Sequence, residues 1–432
     1  MKRVSVCVGW VAFAAVSVAQ EPPTPRVLPP AVTAPPTSPV VPAAATRRVE
    51  TPLSAFEPLA AFPQPTQAAL RSALHGSAWL TRMNQPQGRF TFGYLPALRQ
   101  PMDGDHDLKQ ALAAVSMAQS AKFTGDERQT AVANQAILAL LAATKPDPAD
   151  ANCRVPVHSS MTCNRVGFAA LLALAVYELP TADDKLIAEA EKLCVFLQKQ
   201  LRTDGSVHFT DNPTDVPVQV DPAGVNEYPG YALHTLAVSN RARPAAWKLD
   251  AVKKGAEFYR TAFKTAPHPM LAATMTPALA ELFHQTKDGT AVAAVFEMND
   301  WLCGLQVSPT DPKRPMWAGG FRGYANGQAI DAAPGFESGI YLQSLSCACK
   351  MARDVPDLQR FGKYRQAAID AAQYLGTLQY TEANTRHFAD SFRAGTLIGG
   401  FYLAPADGNL RIDATARCVS GLLQFLGSGA EK

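Results

Sequence analysis

The densest group of polar side chains in the sequence lies in the segment MDGDHDLKQ, residues 102–110. Asp105, His106 and Asp107 stand there together, where the apolar spacing typical of a helix begins. A carboxylate beside an imidazole can transfer protons, so Asp105 or Asp107 could act as acid or base with His106 as its partner. The alternative is helix capping, with Asp105 as the N-cap and Asp107 in the first turn.

Polar residues recur where other apolar helices are predicted to begin. They include Arg165, Glu227, Tyr228, Glu337, Arg411 and Asp413. Capping explains an Asp at such a position, but it does not call for an Arg, a Glu or a Tyr. We count Glu227, Glu337 and Asp413 as catalytic candidates beside the first cluster; for each of them a helix cap or a solvated loop is the alternative. Arg165, Tyr228 and Arg411 are expected to bind substrate.

The long loops add aromatic and guanidinium groups, among them Trp317, Arg322 and Tyr324. Aromatic faces combined with arginines and paired carboxylates suit a sugar, especially a uronic acid. We count these three residues as substrate-binding candidates. The same aromatic side chains could equally pack the loops, because a long loop needs a small core of its own.

From residue 66 onward the apolar residues recur about every 3.6 positions, the helical period, and strand-like alternation is rare. The spacing predicts twelve helices: 66–84, 106–123, 126–143, 164–179, 182–201, 228–241, 245–264, 269–286, 290–304, 336–353, 359–379 and 412–426. Short and long connections alternate between them, so the long loops should all emerge at one end.

The helices that follow long loops are apolar nearly all round, whereas their partners are amphipathic. GFAALLALAVY (167–177) represents the first kind and DDKLIAEAEKLCVFLQKQL (183–201) the second. A helix that is apolar all round is buried, and an amphipathic one faces water on one side. Six buried helices ringed by six outer ones form an all-α (α/α)6 toroid, our predicted fold class; an open helical solenoid is the alternative.

A recurring motif supports the toroid. Leu305-Gln306 precedes Gly319-Gly320-Phe321, and Leu378-Gln379 precedes Gly399-Gly400-Phe401. This pattern resembles the Gln-to-aromatic motif of the terpenoid cyclase and protein prenyltransferase toroids. The resemblance implies that Gln binds free backbone groups at the end of an outer helix and that the aromatic ring packs beneath. The six-hairpin glycosidases, uronate lyases and sugar epimerases have a similar architecture.

The N-terminal part of the chain has a different composition. Residues 1–20 have the charged start, short apolar stretch and small-residue exit of a signal peptide. The Pro-rich residues 21–65 are typical of a disordered linker, and residues 66–432 form the predicted toroid domain. We expect an exported protein, periplasmic or secreted, with no membrane span in the mature chain and possible tethering through the linker.

Export makes a disulfide between Cys153 and Cys163 plausible, because these residues flank one loop. No metal-ligand spacing, phosphate-binding loop or esterase motif occurs, so we predict no metal and no cofactor. With 40 Lys and Arg against 37 Asp and Glu, no strong charge recruits nucleic acid.

Three functions fit these observations. The first is a carbohydrate-active enzyme, a hydrolase, lyase or epimerase, acting on an acidic polysaccharide. The second is a non-catalytic scaffold that binds a glycan or a protein. The third is a terpenoid cyclase or prenyltransferase-like protein, which fits the repeats but lacks the acid motif and the zinc ligands of those enzymes.

Overall fold

A computed structural model describes residues 61–158, 163–209 and 222–430. The predicted signal peptide, and all of the predicted linker except its last five residues, lie outside the described residues. The helices are α1 (Gln64–Met83), α2 (Asp107–Thr124), α3 (Glu127–Leu141), α4 (Arg165–Glu178), α5 (Asp184–Lys199), α6 (Pro222–Asn226), α7 (Tyr228–Ala242), α8 (Ala246–Thr265), α9 (Pro269–Thr286), α10 (Gly289–Cys303), α11 (Ser338–Asp354), α12 (Leu358–Thr377), α13 (Asp390–Phe392) and α14 (Ile412–Gly427).

All twelve predicted helices form, and each begins and ends within two residues of its predicted limits. Local capping explains part of this agreement. The carboxylates of Asp126, Asp183 and Asp288 accept hydrogen bonds from backbone N–H groups in the first turns of α3, α5 and α10. Such caps satisfy donors that the helix itself leaves without partners.

The helices are arranged as a closed double ring, so the predicted all-α toroid is confirmed and the open solenoid is wrong. The inner helices α2, α4, α7, α9, α11 and α14 pack against one another in that order, and α14 packs on α2. The outer ring consists of α1, α3, α5, α8, α10 and α12. Helix α1 packs against both α14 and α12, so the first and last long helices close the ring.

The two rings differ in burial as the sequence predicts. In inner helix α4 every residue from Val166 to Val176 is buried, whereas outer helix α5 buries only one stripe, which includes Leu193 and Leu197. Among the described residues no helix has both the length and the apolar character needed to cross a membrane.

Short strands, which the sequence did not indicate, tie the loops together. They are β1 (Gly93–Leu95), β2 (Gln100–Pro101), β3 (Thr144–Asp147), β4 (Asp150–Pro156), β5 (Tyr324–Ala325), β6 (Gln328–Ala329), β7 (Tyr402–Ala404) and β8 (Asp407–Arg411). One antiparallel sheet has the order β2-β1-β8-β7, while β3–β4 and β5–β6 are hairpins. Gly93 pairs with Arg411, which joins the loop after α1 to the loop before α14.

The Gln-to-aromatic repeats join neighbouring outer helices. Gln306 pairs with Phe321, and its amide Nε2 donates to the carbonyl of Gly319 at 2.9 Å and to that of Ala367, in α12, at 2.8 Å. Gln379 bonds in the same way to Gly399 and to Ser72 of α1, both at 2.9 Å. Each Gln thus binds a backbone carbonyl of its own turn, but its second bond goes to a carbonyl inside the next outer helix rather than to the end of the helix that it follows.

The glycines of these turns are required by their geometry. Gly319 has φ +83°, and a Cβ there would lie 2.1 Å from the carbonyl oxygen of Asp370 in the next outer helix. Gly399 has φ +95° and meets the carbonyl of His75 in the same way. Only glycine combines the left-handed conformation with so close an approach.

The predicted disulfide is not present in the structure. Cys153 and Cys163 are both free, buried thiols. Cys153 lies on β4 beside Lys199 at the end of α5, whereas Cys163 lies just before α4, beside the backbone of Leu108 in α2. The two side chains therefore face different helices. Burial raises the pKa of the Cys163 thiol to about 12, which keeps it protonated.

Candidate functional site

The inner helices are parallel, so their first residues meet at one end of the ring. Residues from the second half of every inner helix line a single cavity at the opposite end. We call the N-terminal ends of the inner helices, with the loops that precede them, the mouth. Six helix N-termini place unsatisfied N–H groups and partial positive charge at this end.

Arg417 and Glu227 form an ion pair that joins α14 to the start of α7 across the mouth. The exposed fractions of the two side chains are only 9% and 11%. The hydroxyl of Tyr231 donates to the same carboxylate at 3.0 Å. Burial opposes the charged form of Arg417, but Glu227 and the other acidic groups around it outweigh this and raise its pKa. Arg417 is therefore a permanent cation beneath the mouth.

Arg411 and Asp413 form a bidentate pair at the start of α14. The Arg411 Nε and Nη2 atoms lie 2.8 and 2.7 Å from the two Asp413 oxygens. The ring of Phe336 lies close to two cations, with the guanidinium carbons of Arg411 and Arg417 at 5.4 and 5.9 Å from its centroid. Burial favours the neutral form of Asp413, but the hydrogen bonds and charge of Arg411 hold its pKa below the usual range.

Glu337 precedes α11 and has a different environment. Burial raises the pKa of its carboxyl, and the nearby charges of Arg417 and Arg411 only partly oppose this shift. Among the described residues no cation lies within ion-pair distance of it. A Cβ on Gly335 would lie 2.5 Å from Glu337 Oε2, so the glycine leaves room for the carboxyl group. The mouth therefore contains one carboxyl biased towards its neutral form beside one held ionised, Asp413.

The segment singled out first in the sequence forms a charged recess at the rim of the mouth. Arg89 lies between two carboxylates, 2.6 Å from Asp105 and 2.6 Å from Asp107, and His158 lies 3.3 Å from Asp107. A recess of about 410 Å³ is lined by these residues, His106 and Cys163. Burial favours the neutral form of Asp105, but hydrogen bonds from Arg89 and Gln110 hold its pKa below the usual range.

The capping alternative for this segment is wrong for Asp105. The N-cap of α2 is His106, whose side chain makes no capping bond, while Asp107 does lie in the first turn. Burial and the charge of Lys109 lower the pKa of His106, so its imidazole is neutral near pH 7. The charges of Asp107 and Asp413 oppose this lowering of the His106 pKa without reversing it.

The predicted substrate-binding residues are only partly brought together. Arg411 lies in the mouth. Arg165 donates to the carbonyl of Pro156 at 2.9 Å and lies over the ring of Phe196, so it anchors the β3–β4 hairpin to α5. The ring of Tyr228 packs close to Gly167 at the start of α4.

The predicted aromatic residues of the loops mainly stabilise those loops. Arg314 lies over the ring of Trp317 at 5.3 Å. The Tyr324 hydroxyl donates to the carbonyl of Pro267 at 2.8 Å, and its ring meets His268 edge-on at 5.5 Å. Arg322 is exposed. Of the two interpretations left open for these residues, their contacts favour loop packing.

Three residues of the mouth received no role from the sequence: Arg89, Phe336 and Arg417. Arg89 lies in the segment NQPQGRF (84–90), where Asn84 pairs with Phe90 in a turn after α1, so the segment itself indicates a structural role. Arg417 is separated from Glu227 by 190 positions, so no local pattern reveals the pair. Among the described residues no group of three or more His, Cys, Asp or Glu side chains could hold a metal ion.

No protein-family model and no curated protein matches this sequence. Several solved structures share its fold. The α-1,6-mannanase GH76A from Salegentibacter sp. HEL1_6 is 12% identical, with a TM-score of 0.57, and the match covers 84% of this chain and 100% of that chain. An unsaturated glucuronyl hydrolase specific for heparin is 11% identical, with a TM-score of 0.54, covering 83% and 96%.

The cellobiose 2-epimerase from Bacillus thermoamylovorans B4167 is 10% identical, with a TM-score of 0.58, covering 85% of this chain and 97% of that chain. At such low identity the likeness shows the fold. It confirms the predicted resemblance to the six-hairpin, glycosidase-like toroids.

Proposed function

We propose that the mouth is the active site of a carbohydrate-active enzyme, a hydrolase, lyase or epimerase, acting on an acidic polysaccharide. The observation that carries the proposal is the contrast between two neighbouring carboxyl groups. Burial raises the pKa of Glu337, whereas Arg411 lowers that of Asp413. Environments that separate two carboxyl pKa values in this way suit one group as acid and the other as base or nucleophile.

In this proposal Glu337 donates a proton to the oxygen atom that leaves or is rearranged. Asp413 stays ionised and acts from the other side, as a base or as a nucleophile, according to the separation of the two groups around the bound sugar. Arg411 orients Asp413 through its bidentate hydrogen bonds. His106, with its neutral imidazole, is a further proton carrier at the rim.

The acidic substrate is inferred from Lys109. Among the described residues its ammonium group forms no ion pair within 4 Å, although it lies 5.0 Å from the centroid of Phe92. Burial lowers its pKa, and the charges of Asp413, Arg411 and Arg417 act on the same pKa. A uronate carboxylate bound there would gain a charge-assisted hydrogen bond. The fold neighbours, a mannanase, a glucuronyl hydrolase and a cellobiose epimerase, also support carbohydrate chemistry.

The second candidate is a glycan-binding or protein-binding scaffold. One observation favours it: Arg89, Arg411 and Arg417 are already paired with carboxylates of the same chain. A mouth whose charges neutralise one another can bind without reacting. The terpenoid function loses support, because the recess at the mouth is lined by charged groups rather than by aromatic rings.

The test is a screen of the purified protein against neutral and acidic polysaccharides, with binding and product release both measured. Glu337→Gln and Asp413→Asn should each lower turnover about 10²–10⁴-fold, the usual contribution of a proton-transfer group. Glu297→Gln is the control, because it breaks the Arg260–Glu297 pair between outer helices and should leave turnover unchanged. Binding without turnover would favour the scaffold, and the absence of both binding and turnover on every polysaccharide would refute the enzyme and the glycan-binding scaffold.

Export and tethering belong to the same proposal. A polysaccharide substrate lies outside the cytoplasm, which agrees with a signal peptide over residues 1–20 and a linker over residues 21–65. Expression of the full chain, followed by N-terminal sequencing of the protein from each compartment, tests this. A mature protein in the periplasm or medium that begins near residue 20 is expected, whereas an intact chain in the cytoplasm would contradict it.

A further inference from the structure

A second cavity lies at the opposite end of the ring, where the inner helices end. It has a volume of about 450 Å³ and receives side chains from all six inner helices. Towards the mouth it continues into a narrow apolar throat of about 40 Å³, which ends at Tyr231 and Arg417. We call the wide part the distal cavity. It shares no lining residue with the recess at the mouth.

Four polar side chains form a layer between the distal cavity and the throat. Gln119, His234, Gln343 and Ser420 line both spaces and come from four different inner helices, α2, α7, α11 and α14. In the part of the chain that the structure describes, none of the four has a hydrogen-bond partner, and Gln119 Oε1 is fully buried. Gln119 Oε1 is a buried acceptor without a partner, which is costly, and the four side chains are half-buried where the two spaces meet, so the layer is placed to bind a ligand.

The charges at the rim of the distal cavity are largely compensated by one another. Lys122 lies 3.3 Å from Glu178, and Arg241 Nη1 lies 2.9 Å from both carboxylate oxygens of Glu281. Lys350, which also lines the cavity, has no ion pair within 4 Å among the described residues. The groups left to recognise a ligand are therefore mostly neutral.

The layer offers both donors and acceptors. Each Gln amide provides two donors and an acceptor oxygen, the Ser420 hydroxyl provides both, and a neutral imidazole provides one of each. Burial lowers the pKa of His234, which keeps its imidazole neutral near pH 7. Pro277 adds an apolar wall. Because proline has no N–H group, it cannot donate the helical hydrogen bond to the carbonyl of Ala273, a residue that also lines the throat.

We propose that the distal cavity binds a small neutral sugar or polyol through Gln119, His234, Gln343 and Ser420. Paired donors and acceptors on amide, hydroxyl and imidazole groups match the hydroxyl groups of a sugar. The apolar wall suits the C–H face of a sugar ring. The volume lies within the range of small-molecule sites and admits a monosaccharide or disaccharide. This site is independent of the reaction proposed for the mouth.

The experiment is calorimetric titration of the full chain with glucose, mannose, galactose, cellobiose and maltose, with inorganic phosphate as an anionic probe. At least one sugar should bind the wild type. His234→Phe, which fills the cavity, and Gln343→Leu, which removes two donors, should each weaken that binding at least tenfold. Glu337→Gln and Asp413→Asn, both at the mouth, should leave it unchanged.

Ser420→Ala provides a milder test if the larger changes prevent folding, which circular dichroism would reveal. It should weaken binding several-fold, the usual effect of one lost hydrogen bond. The proposal is overturned if no sugar binds the wild type, or if phosphate binds and no sugar does. It is equally overturned if sugar binding is lost in Asp413→Asn but kept in His234→Phe, because the sugar would then occupy the mouth.

Discussion

The two ends of the inner ring satisfy their polar groups in different ways. At the mouth the arginines and carboxylates are buried and bonded to one another, as in the Arg417–Glu227 and Arg411–Asp413 pairs. At the distal end the charges lie near the rim, and the inward layer around His234 consists of neutral groups without partners among the described residues. Pairing fixes the geometry and protonation of the mouth, whereas the distal cavity keeps hydrogen-bonding capacity for a ligand.

The largest difference in stability should come from breaking one ion pair at each end. Arg417→Met leaves Glu227 buried without its cation and should reduce the free energy of unfolding by about 3–5 kcal/mol. Arg241→Met breaks the Arg241–Glu281 pair, whose arginine is 54% exposed, and should cost less than about 1 kcal/mol. Urea unfolding of both variants measures the contrast, and equal losses would contradict the difference in burial.

The turn glycines at the two ends should also differ. Gly319→Ala forces a left-handed backbone on alanine and places its Cβ 2.1 Å from the Asp370 carbonyl oxygen, so a loss of roughly 3 kcal/mol is expected. Gly125, in the short turn after α2, has φ +69° with no atom within 4 Å of a Cβ. Gly125→Ala should therefore cost only about 1–2 kcal/mol.

Urea unfolding again gives the measurement. A loss in Gly319→Ala no larger than that in Gly125→Ala would show that the contact between neighbouring outer helices can relax. The motif would then matter for its backbone conformation alone.

The architecture could be predicted because it depends on periodicity. Apolar spacing revealed every long helix, and the contrast between α4 and α5 showed which kind faces inward. The position of the site followed from the helix starts, since all inner helices begin at one end. The strand pair of β1 and β8 could not be predicted, because strands of three and five residues are too short to show alternation.

Individual contacts were less predictable, because they depend on where the ring brings distant residues together. Spacing alone suggested a disulfide between Cys153 and Cys163, yet the fold directs the two thiols to different helices. Tyr324 and Trp317 are residue types that are common in sugar-binding sites, but here they pack within loops. The unpaired layer of the distal cavity comes from four helices, and no single segment displays it.

The smallest effects concern pH, and those of Glu337 at the mouth and His234 at the distal end should have opposite signs. The folded-state pKa of Glu337 is raised by burial, so its contribution to stability is present below its unfolded value of about 4.3 and is lost as pH rises through the folded value. Glu337→Gln should therefore gain stability over the wild type with rising pH. His234 has a lowered pKa, so its contribution is present above about 6.5 and is lost as pH falls through the folded value.

His234→Phe should accordingly gain stability over the wild type with falling pH, in the direction opposite to Glu337→Gln. Denaturant unfolding at a series of pH values between about 4.3 and 6.5, the unfolded pKa values of Glu and His, measures the free energy of unfolding of each variant relative to the wild type. Asp413→Asn is the control at the mouth: its pKa is lowered by Arg411, so the variant should be least stable relative to the wild type near neutral pH. If Glu337→Gln and Asp413→Asn had the same pH dependence, the two carboxyl groups would not be in contrasting environments. The assignment of acid and base at the mouth would then lose its basis.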